Sequence, residues 1–299
     1  MRAFFGSATR GQIAAPQRPH LLENTMQPMA NMALRAARRA GQIIARAVDR
    51  VDMITVEEKQ KNDLVSEIDR SAEAAIVEIL NKAYPGHSIV GEESGQAVKG
   101  DEDYTWIIDP LDGTTNFLHG IPHFAVSIGC VHRGRLEHAV VLDPLRDESF
   151  VASRGHGAQL NEKRIRVTRR DRLDSAVVGT GIPFRGHDAH LDAYMRQLAA
   201  VSRTARGVRR AGSAALDLAY VAAGRFDAFW EIGLKPWDMA AGALLVTEAG
   251  GLVSDFEGGS AFMETGNIVC GNPKCFKALL QTIAPHVTKE MKRQPRPTE

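Results

Sequence analysis

Residues 106–116 read Trp106-Ile107-Ile108-Asp109-Pro110-Leu111-Asp112-Gly113-Thr114-Thr115-Asn116, an apolar run that ends abruptly in two carboxylates, a glycine and two hydroxyls. The β-prone Trp106 to Ile108 predicts a buried strand. Pro110, which lacks an N–H and fixes its own φ, predicts that regular pairing stops there. Asp109 and Asp112 then sit at a strand end. Two neighbouring carboxylates repel unless one is protonated or a cation lies between them, and hard oxygen ligands suit magnesium. Gly113-Thr114-Thr115 adds backbone N–H groups and hydroxyls that can approach an anion closely, the surroundings a phosphate requires. A capped turn with solvated aspartates is the alternative reading of the same residues.

Three further acidic positions extend the pattern. Gly91-Glu92-Glu93-Ser94 follows a short apolar strand, so Glu92 emerges at a strand end as Asp109 does, unless it belongs to a surface acidic loop. In Trp237-Asp238-Met239-Ala240-Ala241-Gly242, Pro236 fits helix initiation, and Asp238 is either a cap or a ligand. Asp69 falls on the first turn of a predicted helix, where a simple N-terminal preference for negative charge competes with a role in the site.

Apolar periodicity predicts helices over 30–48, with arginines 35, 38, 39 and 46 on the outer face, and over 67–83, stopped by Tyr84-Pro85-Gly86. A strand is expected at 88–90. Paired strands are expected at 124–132 and 136–142, with 149–152 and 158–160 extending the sheet. The order then alternates: strand 176–179, helix 189–201, strand 207–209, helix 213–223, strand 226–231, helix 236–248, strand 267–270 and helix 273–283. This is an α/β chain.

The 299 residues carry a formal net charge of +1, which gives no broad basic field of the kind a dedicated nucleic-acid binder shows. Cys130, Cys270 and Cys275 lack zinc-finger spacing and fit small buried thiols in a reducing compartment, so the cytoplasm is the expected location. Every apolar run is interrupted before it reaches the length of a bilayer crossing. Residues 1–25 hold scattered Arg, Gly and Pro without an apolar period, and the helical pattern starts after Met26. They are expected to form a disordered extension, with Met26 a candidate start in place of Met1. Residues 26–286 are expected to form the catalytic domain, and 287–299 a polar, frayed tail.

Gly91-Glu92-Glu93-Ser94, residues 106–116, and Trp237 to Gly242 with Glu248-Ala249-Gly250-Gly251 resemble the inositol monophosphatase family in order and spacing. The stretches Met26 to Gly41, Gly212 to Gly224 and Gly266 to Val269 resemble its bacterial SuhB-type branch. The resemblance implies a layered αβαβα sugar-phosphatase fold, a homodimer, and lithium-sensitive, magnesium-dependent hydrolysis of a small-molecule phosphate monoester, most simply inositol-1-phosphate. It implies that Glu92, Asp109 and the Leu111 carbonyl hold one Mg2+, that Asp109, Asp112 and Asp238 hold a second, and that a third, weaker one shares Glu92. Gly113 and Thr114 amides would bind phosphate, Thr114 with Asp69 would orient the attacking water, and Ala214 and Glu231 would contact the hydroxyl-bearing part of the substrate. Relatives of this kind also associate with RNA polymerase in ribosomal RNA antitermination, for which the Arg35/Arg38/Arg39 face and the cluster Arg164, Arg166, Arg169, Arg170 and Arg172 are candidate surfaces. The stretch 57–62 is shorter than the matching loop of many relatives, leaving open whether Lys59 or Lys61 stands near the metals.

Overall fold

A computed structural model describes residues 26–48, 50, 56–60, 63–183 and 188–292. The expected extension, 1–25, lies outside the described residues. The helices are α1 (Pro28–Ala47), α2 (Glu67–Ala83), α3 (Thr114–Leu118), α4 (Leu191–Thr204), α5 (Ala214–Ala222), α6 (Pro236–Glu248), α7 (Phe262–Thr265), α8 (Pro273–Ile283) and α9 (Lys289–Lys292). The strands are β1 (Val56–Gln60), β2 (Asp63–Ser66), β3 (His87–Gly91), β4 (Gly95–Val98), β5 (Asp101–Asp112), β6 (Ala125–His132), β7 (Arg135–Asp143), β8 (Glu148–Ser153), β9 (Gly157–Leu160) and β10 (Lys163–Arg164). They are followed by β11 (Val177–Thr180), β12 (Gly207–Arg209), β13 (Ala228–Glu231), β14 (Leu252–Ser254) and β15 (Ile268–Gly271).

Eight strands form one sheet in the order β10-β9-β8-β7-β6-β5-β3-β4, and five form a second in the order β12-β11-β13-β15-β14. In the first sheet only β3 and β5 run parallel; in the second, β11 runs parallel to both β12 and β13. Three apolar cores hold five layers together, the middle one enclosing α5 and α6. Ala33, Ala37 and Ile44 of α1 and Ile76 and Leu80 of α2 pack on Trp106, Ile108 and Ile128 of the large sheet. Arg35, Arg38, Arg39 and Arg46 stay exposed on the outer face of α1, so its alanine-rich stripe, with Leu34 and Ile44, makes the contact. Leu216 and Leu218 of α5 and Leu244 and Leu245 of α6 fill the space between the sheets, against Val141 and Phe150 on one side and Phe229 and Cys270 on the other. Tyr194 and Val201 of α4 and Leu279 of α8 cover the far face of the small sheet over Val178 and Trp230. The α/β, layered αβαβα architecture expected from the sequence is present. The central helices approach closely because Gly242 has no side chain: a Cβ there would lie 2.4 Å from that of Leu218.

Three expectations need correction. Pro110 does not end the strand; β5 continues to Asp112, with a register irregularity between Asp109 and Asp112. The missing N–H of Pro110 falls within that bulge, where no ladder bond requires it. The stretch expected as a loop around 57–62 carries the antiparallel pair β1 and β2. The expected tail begins with α9, whose Met291 is fully buried. A single apolar side chain in a polar run has no periodicity to announce it. Residues 293–299 lie outside the described residues.

The weight carried by the α1/α2 face can be measured directly. Ile108→Ala removes a fully buried side chain and is expected to lower the unfolding free energy by about 2–5 kcal/mol, read as a lower urea midpoint with an unchanged m-value.

Candidate metal and phosphate site

The bulge in β5 determines where its two aspartates point. Residues three apart on a regular strand face opposite sides of the sheet. Here Asp109 pairs with Ser127 and Asp112 with Ala125; those partners are two apart and share a face, so the extra residue brings both carboxylates to one side. That side faces the start of α6, where the Ser127 hydroxyl donates to the Trp237 carbonyl at 3.0 Å. Asp238, two positions after the initiating Pro236, accepts the Lys235 N–H on its Oδ2 at 2.7 Å. It is therefore a cap and a member of the cluster at once. One oxygen from each of Asp109, Asp112 and Asp238 lies within 4.8 Å of the others.

Glu92 follows β3 directly, and its N–H donates to the Ile108 carbonyl at 3.1 Å, which sets it beside Asp109. Burial pushes the Asp109 carboxyl well above the usual carboxylate range, and the charges of Glu92, Asp112 and Asp238 push it further. Asp112 is raised to about 7, first by burial and then by the charge of Asp238, against the opposing hydrogen bonds from Ser213 and Ala215. Those bonds, Ser213 Oγ at 2.6 Å and Ala215 N at 2.7 Å, both reach Asp112 Oδ2 and join the large sheet to the first turn of α5.

Asp69 is buried on the first turn of α2, and the Thr114 hydroxyl lies 3.0 Å from its Oδ1 and 3.1 Å from the Leu111 carbonyl. The Thr114 hydroxyl has one proton for two acceptors, so it donates to one of them at a time. Gly113 adopts φ +100°, a conformation glycine takes without strain, and a Cβ would meet the His123 carbonyl at 3.1 Å and that of Gly212 at 3.2 Å. Asn116 crosses the same gap: its Nδ2 donates to the His123 carbonyl at 2.7 Å and to the Ala211 carbonyl at 2.9 Å.

A cavity of about 290 Å3 opens over these groups. Glu92, Asp109, Leu111, Asp112, Gly113, Thr114, Ala214, Glu231 and Asp238 line it, and Asp69 stands behind Thr114. The structure thus brings together every residue expected to bind metal, phosphate or substrate or to orient the water. Glu231 ends β13 and is held well above the usual carboxylate range by burial, with Asp217 and Asp238 adding to the effect. Its carboxylate occupies the space a side chain at Gly181 would take, 1.7 Å from such a Cβ. Arg210, Ser213, Asp217, Thr180 and Gly181 also line the cavity and escaped sequence reasoning. Ser213 carries a readable signal, a hydroxyl just before an apolar helix; Arg210 and Asp217 carry none, since only tertiary packing of the segment after β12 and of α5 aims them here. Lys59 and Lys61 lie outside the residues whose side chains are described.

Clustered hard oxygen donors at the end of a buried sheet, beside a glycine-threonine turn, define a layered α/β protein with a carboxylate-built site suited to a divalent cation. The chain belongs to the inositol monophosphatase family, whose model matches residues 25–291. It is 61% identical over 271 residues to the Nus factor SuhB of Pseudomonas aeruginosa, covering 90% of this chain and 100% of that one. The fold is similar to that of the extragenic suppressor protein suhB from Bartonella henselae, with a TM-score of 0.83, 44% identity and coverage of 86% of this chain and 98% of that one. It is also similar to SaIMPase-II with inositol monophosphate bound, with a TM-score of 0.72, 25% identity and coverage of 86% and 94%. Among the described residues no helix is long and apolar enough to cross a membrane.

The raised carboxyls give the metal-free protein a definite pH response. Asp112, near 7 when folded and 3.8 as an ordinary carboxyl, holds a proton in the fold that the unfolded chain releases. Stability is therefore fullest below the unfolded value and falls as pH rises toward about 7, with Asp109 and Glu231 acting in the same direction. Thermal melts are expected to show magnesium raising Tm more at pH 8 than at pH 5.

Proposed function

We propose that this protein is a magnesium-dependent phosphomonoesterase whose simplest substrate is inositol-1-phosphate. The convergence of Asp109, Asp112 and Asp238 within 4.8 Å, beside the Gly113–Thr114 turn, carries this reading. The donor set fits the metal, because carboxylate oxygens that would repel one another are what a hard cation binds. In this proposal Glu92, Asp109 and the Leu111 carbonyl hold one ion, Asp109, Asp112 and Asp238 a second, and Glu92 takes part in a third, weaker site. Bound magnesium supplies a water of lowered pKa and neutralises phosphate charge.

The remaining work falls to the chain itself. Thr114 gives its proton to Asp69, so its oxygen accepts from the attacking water and aims it; the proton of that water passes toward Asp69 through the same hydroxyl. The amides of Gly113 and Thr114 donate to the phosphate oxygens. Glu231 and the Ala214 backbone meet the hydroxyls of the leaving alcohol. No protein nucleophile is required, so positioning and electrostatics account for the rate.

A phosphate-release screen over inositol-1-phosphate, sugar monophosphates and nucleotide phosphates tests the reading. Turnover is expected to require magnesium, fall with lithium and favour the polyol monoester; faster turnover of a nucleotide would move the substrate assignment. Asp112→Asn is expected to lower kcat/KM by at least about 100-fold while keeping a cooperative melt, and full activity in that variant would overturn the metal assignment.

A second role is supported by the name of the 61% identical relative, a Nus factor: association with RNA polymerase. The exposed Arg35, Arg38 and Arg39 of α1 are the proposed contact. Wild type and Asp112→Asn are expected to retain polymerase equally in a pull-down, and a triple Arg→Ala variant to lose it. Failure of wild type to bind would remove this role.

A further inference from the structure

We propose that the C-terminal helix α9 is a tether for the cavity wall and that Asn267 is the positioning residue through which it acts. Met291 has no exposed surface, although it sits in a polar run four residues long. Its carbonyl accepts from Asn267 Nδ2 at 2.5 Å, and its sulfur accepts from Gln197 Nε2 of α4 at 3.6 Å. The other end of the Asn267 amide holds the segment before α6: its Oδ1 accepts the Gly233 N–H at 3.3 Å. Next to it the Leu234 N–H donates to the Gly266 carbonyl at 2.9 Å. The two segments lie so close that a Cβ at Gly266 would come within 2.5 Å of the Leu234 carbonyl, a contact glycine avoids by having no Cβ, and its left-handed φ of +76° favours glycine as well.

Gly233 and Leu234 lie between Glu231 and Asp238, and Leu234 lines the cavity. A continuous path therefore runs from Met291 through one side-chain amide to the wall. The chemistry of that path fits asparagine: it needs a donor at one end and an acceptor at the other, whereas aspartate would turn an acceptor toward the Met291 carbonyl and leucine would satisfy neither partner. Asp238 is held separately, by the Lys235 N–H and by the buried body of α6. Releasing the tether thus loosens the wall facing the organic part of the substrate more than it disturbs the carboxylate cluster. The lysines of α9 add little, since the Lys292–Glu257 pair at 3.5 Å is exposed.

The activity arm of the test rests on the phosphatase reading; the exchange arm does not. Full-length Asn267→Asp, Met291→Asp, their double variant and Met291→Leu are compared with wild type by hydrogen exchange and by steady-state kinetics on inositol-1-phosphate at saturating magnesium. In the two aspartate variants the amides of Gly233 and Leu234 are expected to exchange at least about tenfold faster, with β6 and β7 unaltered. KM is expected to rise about fivefold with a smaller change in kcat, the size of a lost hydrogen bond. Because both residues belong to one path, the double variant is expected to be no worse than the poorer single; Met291→Leu is expected to behave as wild type. Unchanged exchange at Gly233 and Leu234, or multiplied effects in the double variant, would overturn the tether. If Met291→Asp does not fold, Met291→Ala supplies the same readout. If wild type releases phosphate from no monoester, the phosphatase reading fails, and exchange alone decides the tether.

Discussion

The structure turns on mutual repulsion among carboxylates gathered at one end of a buried sheet. Asp109 is almost fully buried, and Glu92, Asp112 and Asp238 face it. Removing even one such charge from water is costly, and placing several together multiplies the cost. Two outcomes relieve it: the carboxyls keep their protons, or a cation takes the protons' place. The raised Asp109 and Asp112 describe the first outcome, and the oxygen donor set describes the readiness for the second. Apolar packing in three cores supplies the rigidity that holds the cluster against its own repulsion.

That rigidity reaches the site through specific connections. The β5 bulge turns Asp112 to the side of Asp109, and Ser213 and Ala215 then bind Asp112 from the start of α5, the helix layer between the sheets. Asn116 joins the glycine-threonine turn to the loop before α5. Each link crosses between layers, so the cavity is a seam between the two sheets, with the proposed metal and phosphate groups mainly on the large sheet and Glu231 on the small one. The Asn267 path extends the same principle to the end of the described chain, where a short helix reaches the wall opposite the cluster.

The division of labour bears on the two proposed roles. A phosphatase needs the seam; a polymerase contact needs only an outer face, and α1 presents its arginines on the side of the large sheet away from α5 and α6. The two proposed roles would draw on separate surfaces, so neither would require compromise at the other's residues.

Much of this was legible in the residues alone. The elements around the site could be read from periodicity and breakers, and Asp109 and Asp112 stood out as paired carboxylates at a strand end; Glu92, Asp238 and Asp69 fitted a surface loop, a cap and an N-terminal charge equally well, and the family resemblance joined them and Thr114 to the site. Local chemistry determines such signals. What tertiary structure decided was parity and long-range aim. Pro110 reads locally as a strand terminator, yet pairing with β6 absorbs it in a bulge, and that bulge sets which way Asp112 points. Arg210 and Asp217 face the cavity only because the segment after β12 and helix α5 pack beside the large sheet. Met291 looks like part of a polar tail until Asn267, distant in sequence, binds its carbonyl. A hydrogen bond between segments leaves no trace in either segment's periodicity, so only the folded chain shows which residues are partners.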